Sequence, residues 1–245
     1  MDLGIGILSW KKPITLDNTL RSYQQNGLLD LAKEVYVLIQ EGGEQEIEVV
    51  KKYNLPYITT TDNVGIGKGI TMLTEKLTTE YYLFLENDWL LIEDATKTRK
   101  QIETAIENIK DGTIDCYRLR HRQNYGAPLC SLWLRGQEGA REYYHLMDCV
   151  HWYSDPDVRF PDKITSPIKP GRSGDLDSFY IADSRYANHT NNPVIYKRKW
   201  YLEKLCPMYK GDGRANEMEV FYWWSEQHFK VGQGDGLFKH CDLRK

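Results

Sequence analysis

The chain has 245 residues, 41% of them hydrophobic and 27% charged, which is the balance of an ordinary globular protein able to bury one large core or two small ones. Its formal net charge of −3 excludes a general attraction for nucleic acid or anionic membrane. Five scattered cysteines without a C-x-x-C pair argue against a disulfide framework or a zinc site and for a reducing compartment.

In chain order, Leu3 to Leu8 reads as a strand, Ile14 to Gln25 as a helix stopped by Gly27, and Glu34 to Gln40 as a second strand. A helix over Glu44 to Tyr53 and a short strand over Pro56 to Thr59 follow. The loop Thr61-Asp-Asn-Val-Gly-Ile-Gly-Lys-Gly69 leads into a helix over Ile70 to Leu77. Tyr81 to Leu85 is a fourth strand, Asp94 to Lys110 a long amphipathic helix, and Ile114 to Leu119 a fifth strand. Short candidates remain at Leu129–Leu134 (strand) and Gln137–Met147 (helix) in a stretch rich in proline, glycine and aromatics. The alternation of strand and helix predicts an α/β fold, a mostly parallel central sheet with helices on both faces, plus an irregular second half. A boundary near residue 120 divides the chain into 1–120 and 121–245, the two halves sharing one cleft. The N-terminus, acidic at position 2 and only briefly apolar, does not read as a signal peptide. No segment nears the ~20 apolar residues of a membrane span. No transmembrane segment and a cytoplasmic location are therefore expected.

Ligands of such sheets collect at the carboxyl ends of the strands. There the chain places Ser9-Trp10, Gln40-Glu41, Asp62-Asn63 and the acid triplet Glu86-Asn87-Asp88. Carboxylates two apart at a strand end suit Mg²⁺ or Mn²⁺, whose shell substrate phosphates often complete; solvated or helix-capping acids are the plainer alternative. The glycines of Asn63-Val-Gly65-Ile-Gly67-Lys68-Gly69 permit close backbone approach, although the loop matches neither the Walker nor the dinucleotide fingerprint. The basic clusters Arg118-Leu-Arg120-His-Arg122 and Lys197-Arg198-Lys199 read as solvated faces that could also meet a phosphate. Asn216 and Glu219 form a capping box, Glu217 occupies the first turn of the same helix, and either acid could act as a general base. A glycine-rich loop from Gly232 carries His240.

The order of these pieces resembles the GT-A glycosyltransferases, most of all the family 2 type. The features that carry the likeness are Ser9-Trp10, Glu41, Asn63-x-Gly65, Glu86-Asn87-Asp88, Asn191-Asn192-Pro193, the helix at Glu217, and Gly236-Leu-Phe238-Lys-His240. The resemblance implies a Rossmann-like GT-A fold and a metal-dependent transfer, inverting in stereochemistry, of a sugar from a nucleoside-diphosphate sugar to a hydroxyl of a glycan or glycoconjugate acceptor. It also implies that Mn²⁺ or Mg²⁺ bridges the diphosphate. By the same likeness Asp88 is the direct metal ligand, Glu86 meets ribose or metal, and His240 lies near diphosphate or metal. Glu41 faces the base, and Ser9, Trp10, Asn63, Gly65, Lys68 and Asn87 belong to the nucleotide site. Glu217 or Glu219 would be the base, with Asp175 and Asp177 as outside candidates. Glu86 stands where the family usually has aspartate, which weakens its claim as a ligand. Some of residues 125–172 are expected to shape the acceptor site. A non-catalytic carbohydrate-binding protein, or a sugar nucleotidyltransferase, is the alternative reading.

Overall fold

The structure is a computed structural model that describes residues 1–126, 155–168, 178–209 and 216–241. The strand, helix and acceptor-site expectations within residues 127–154, and Asp175 and Asp177, lie outside the described residues. The first half follows the expected alternation: β1 (Leu3–Trp10), α1 (Pro13–Gln25), α2 (Leu28–Leu31), β2 (Glu34–Gln40), α3 (Glu44–Lys52), β3 (Tyr57–Thr59), α4 (Ile66–Lys76) and β4 (Tyr81–Glu86). Then come β5 (Trp89–Leu91), α5 (Ala95–Lys110), β6 (Cys116–Arg120), α6 (Pro156–Arg159), β7 (Ile164–Ile168), β8 (Phe179–Asp183) and β9 (Val194–Lys197). A helical run from Arg198 to Met208 precedes α7 (Asn216–Glu226) and β10 (Lys230–His240).

All ten strands of the described residues join one sheet in the order β3-β2-β1-β4-β9-β6-β10-β8-β7, with β5 paired to β10. The β3-β2-β1-β4 part is parallel, as the alternation predicts. Beyond β4 the ladders are mixed: β9 runs antiparallel to both β4 and β6, while β10 runs parallel to β6 and antiparallel to β8. The sheet continues without a break across residue 120.

Strand parity decides what each face meets, because successive side chains point to opposite sides. Ile5, Ile7, Val35, Val37, Ile39, Leu83 and Leu85 form one core with α1, α3 and α5. Leu8, Leu38, Tyr82 and Phe84 belong to a second core with Ile70 and Leu73 of α4 and Val220 and Trp224 of α7. Helix ends are set locally. Proline opens α1, and the Asp94 side chain caps α5 by accepting from Lys97 N at 2.9 Å.

Two local readings are corrected. Helix α4 begins at Ile66, four residues before the expected Ile70, so Gly67, Lys68 and Gly69 are helical rather than a loop. A Cβ on Gly69 would lie 2.9 Å from Leu8 Cδ1; this glycine lets the helix pack closely on β1. The expected glycine-rich loop at Gly232 is the 11-residue strand β10. There a Cβ on Gly234 would strike the hydroxyl of Tyr117 at 2.1 Å, so the missing side chain makes room for a neighbour's ring. Among the described residues no helix is long and apolar enough to cross a membrane.

Candidate functional site

At the carboxyl ends of β1, β2 and β4 lies a cleft of roughly 500 Å³ lined by Leu8, Trp10, Lys12, Gln40, Glu41, Asn63, Gly65, Ile66, Glu86, Asn87 and Asp88. Leu8 and Trp10 on β1, Gln40 on β2 and Glu86 on β4 are even-numbered positions whose strand neighbours Leu38, Tyr82 and Phe84 pack toward α4 and α7. The same parity sends Ser9, on the face of Ile5 and Ile7, the other way. Ser9 is 1% exposed, donates its hydroxyl proton to Glu46 of α3, and accepts from Asn87 Nδ2 at 3.0 Å. It stands behind the cleft wall, not in it.

The turn that carries the acids is held from several sides. Asn87 N donates to Leu8 O at 3.0 Å, Thr19 Oγ1 donates to Asn87 O at 2.8 Å, and Cys241 N donates to Asp88 O at 2.8 Å. Around Asp88 two cation-forming groups gather: Lys12 Nζ and His240 Nε2 each stand 3.5 Å from its Oδ2. Burial alone would push the Asp88 carboxyl up, but His240 and Lys12 outweigh it and hold the group below the usual carboxylate range. Its other oxygen, Oδ1, is buried and has no hydrogen-bond partner among the described residues. Glu86 is pushed up to about 8, first by burial and then by the negative charges of Asp88 and Glu217, with Lys12 opposing.

An orphaned carboxylate oxygen in a cleft wall, beside a second carboxylate and an imidazole, is a donor set that fits a hard divalent cation. Among the described residues no three His, Cys, Asp or Glu side chains converge closely enough to hold a metal by themselves. A hard cation at this wall would need further ligands, of the kind that substrate phosphates supply to Mg²⁺.

Across the cleft Glu41 pairs with Lys11, which holds its carboxyl below the usual value. Both residues are in the left-handed region, at φ +60° for Glu41 and +52° for Lys11. Non-glycine residues in that conformation concentrate at functional sites. Trp10 is 45% exposed, with Lys11 Nζ 5.5 Å from its ring centroid. Asn63 Oδ1 accepts from Gly65 N at 2.9 Å, and the buried Gln40 Oε1 accepts from Val64 N at 2.7 Å, which fixes the loop ahead of α4. Lys68 does not line the cleft; it is exposed on α4, and the lysine in the wall is Lys12.

Glu217 lies in the first turn of α7, and its Oε1 accepts from Asn191 N at 2.5 Å. The side chain keeps solvent access, yet desolvation by the chain around it still lifts its pKa, against the Asn191 amide and the charges of Arg118 and Arg120. Glu219 is helical as well; its side chain lies outside the described set. The expected solvated basic face is corrected too. Arg118 and Arg120 are 3% and 6% exposed, on a strand buried between β9 and β10. Arg118 donates to Asn188 O, and Arg120 Nε donates to Tyr125 O at 3.1 Å while its guanidinium lies 5.1 Å from the Trp89 ring centroid. Sequence reasoning passed over Lys12 and Glu46, and gave Gln40 no role beyond its place at a strand end. For Glu46 the available signal was the parity of Ser9, which aims at α3.

No protein-family model and no curated protein matches this chain. Solved structures do. S. aureus TarS 1-349 in complex with UDP-GlcNAc is similar at 12% identity and a TM-score of 0.56, over 100% of this chain and 60% of that one. The mannosyltransferase PcManGT from Pyrobaculum calidifontis, in complex with GDP-Man and Mn²⁺, gives 11% and 0.58 over 99% and 58%. Glucosyl-3-phosphoglycerate synthase from Mycobacterium tuberculosis, with Mn²⁺, UDP and phosphoglyceric acid, gives 11% and 0.54 over 98% and 70%. The chain spans only 37% of the longer TarS structure. The architecture is thus the GT-A fold of nucleotide-sugar-dependent glycosyltransferases.

Proposed function

We propose that the protein is a metal-dependent glycosyltransferase that takes a sugar from a nucleoside-diphosphate sugar and transfers it to an acceptor hydroxyl. The observation that carries the reading is the buried, unpartnered Asp88 Oδ1 in the wall of a strand-end cleft shared with Glu86 and Lys12. Solved structures of the same fold hold UDP, UDP-GlcNAc, or GDP-Man with Mn²⁺, which supports a nucleoside diphosphate as the occupant.

In this reading Asp88 and His240 would hold a Mn²⁺ or Mg²⁺ ion with the donor's diphosphate, and Glu86 would border the ion or the ribose. When bound, the ion supplies neutralisation of the charge that develops on the leaving diphosphate. Lys12 adds a positive charge on the same side of the cleft. Trp10, Glu41, Asn63 and Gly65 frame the nucleoside, with Asn87 orienting the two acids beside it. Glu217 accepts the proton of the acceptor hydroxyl as its oxygen bonds to the anomeric carbon. The bond from that carbon to the diphosphate oxygen breaks, and its electron pair leaves with the diphosphate. A single displacement of this kind inverts the anomeric centre. General-base assistance of this sort is worth typically about 10²–10⁴ in rate.

Calorimetry with UDP and GDP, with and without Mn²⁺, tests the reading. Metal-dependent binding that Asp88→Asn abolishes supports it. A protein that binds glycans but neither nucleotide under any divalent metal would be a carbohydrate-binding module instead.

A further inference from the structure

We propose that Glu46, on the helix behind the cleft, is a positioning residue that sets Asp88 and Lys12 against each other; the inference rests on the donor-site reading above. Glu46 is 2% exposed, and a carboxylate that buried needs compensation. Its contacts are a hydroxyl and two amides rather than a cation: it accepts from Ser9 Oγ, from Lys11 N at 3.2 Å and from Lys12 N at 3.4 Å.

Both sets of contacts end at the cleft. Along the first, Ser9 spends its only proton on Glu46 and so presents lone pairs to Asn87 Nδ2, 3.0 Å away. That fixes which end of the Asn87 amide faces inward, and Asn87 is the residue between Glu86 and Asp88. Along the second, the two amides hold the turn after β1, with Lys11 at φ +52°, so that Lys12 Nζ stands 3.5 Å from Asp88 Oδ2. One carboxylate on α3 therefore ties an acid of the cleft and its cation to the same helix. A residue needed only for packing would have no reason to reach both.

The test measures Mn²⁺-dependent binding of UDP and GDP to the wild type, Glu46→Gln, Lys12→Met and the double variant. Amide hydrogen exchange at Lys11, Lys12 and the Asn87 side chain is followed in parallel. Glu46→Gln keeps the shape but sets an NH₂ group against donors, so affinity is expected to fall about tenfold or more, as for other residues that orient ligands from behind. The loss should be smaller in the Lys12→Met background, because the two act through one contact. Glu46→Asp, which keeps the charge, should restore part of the affinity and serves as the second variant if Glu46→Gln folds poorly. Wild-type affinity in Glu46→Gln, or losses that simply add, would overturn the proposal. Should the wild type itself bind no nucleoside diphosphate with Mn²⁺, the donor-site reading fails. Exchange then decides the positioning role: faster exchange in Glu46→Gln upholds it and unchanged exchange refutes it.

Discussion

Asp88 and His189 show how differently two buried ionisable residues can be used. Asp88 is kept charged by Lys12 and His240 and has an oxygen to spare. Asp88→Asn should keep the fold and lower Mn²⁺-dependent nucleotide affinity by at least about 100-fold, since a neutral amide is a poor ligand for a hard cation. Calorimetry on the folded variant is the check. His189 is 3% exposed, its ring packs on Trp224 and Tyr209, and neither ring nitrogen has a hydrogen-bond partner among the described residues. Burial, aided by Arg118, drives its pKa down to about 3. The unfolded chain then binds the proton more readily, so this stabilisation is complete above the unfolded value near 6.5 and is lost as pH falls from there toward 3. Going from pH 7 to pH 5 should cost about 2 kcal/mol from this group alone. Denaturant unfolding of His189→Phe should show a flatter acid limb; an unchanged limb would mean that other groups control it.

At the scale of elements, local devices position the site from a distance. The cap of α5 is separate from the cleft, so Asp94→Ala should lower stability by about 1 kcal/mol with nucleotide binding unchanged. Helix α4 is different, because its contact with β1 lies directly under the cleft. Gly69→Val would force a branched side chain into the 2.9 Å approach to Leu8 Cδ1. Overpacking of this kind should cost on the order of 2 kcal/mol and displace Leu8, a lining residue, so that stability and nucleotide affinity fall together. Thermal unfolding with and without UDP and Mn²⁺ separates the two variants.

Across the whole molecule, the sheet joins a parallel side, β3-β2-β1-β4, to a mixed side whose α7 and β10 carry Glu217 and His240. The two sides should fail differently. Glu217→Gln is expected to lower kcat by about 10²–10⁴ with nucleotide affinity nearly intact, whereas changes at Asp88 remove both. Equal effects on kcat and on UDP affinity would take the base role away from Glu217.

The parallel half was legible because its signals are local: apolar strands buried on both faces, helices at 3.6-residue spacing, and acids at the strand ends. The triplet Glu86-Asn87-Asp88 could be read for the same reason, since a carboxylate after five apolar residues needs an explanation wherever it folds. Tertiary structure alone decided that β10 is a strand, that α4 runs through its glycines, and that Arg118 and Arg120 are buried. In each case the neighbour comes from far along the chain: Tyr117 against Gly234, Leu8 against Gly69, Asn188 against Arg118. It likewise decided that Ser9 donates to Glu46 behind the cleft wall and that Lys12, not Lys68, faces the acids. Residue type and spacing mark which groups carry chemistry. Which way each one points depends on strand pairing and on helices packed from elsewhere, and no local pattern contains that.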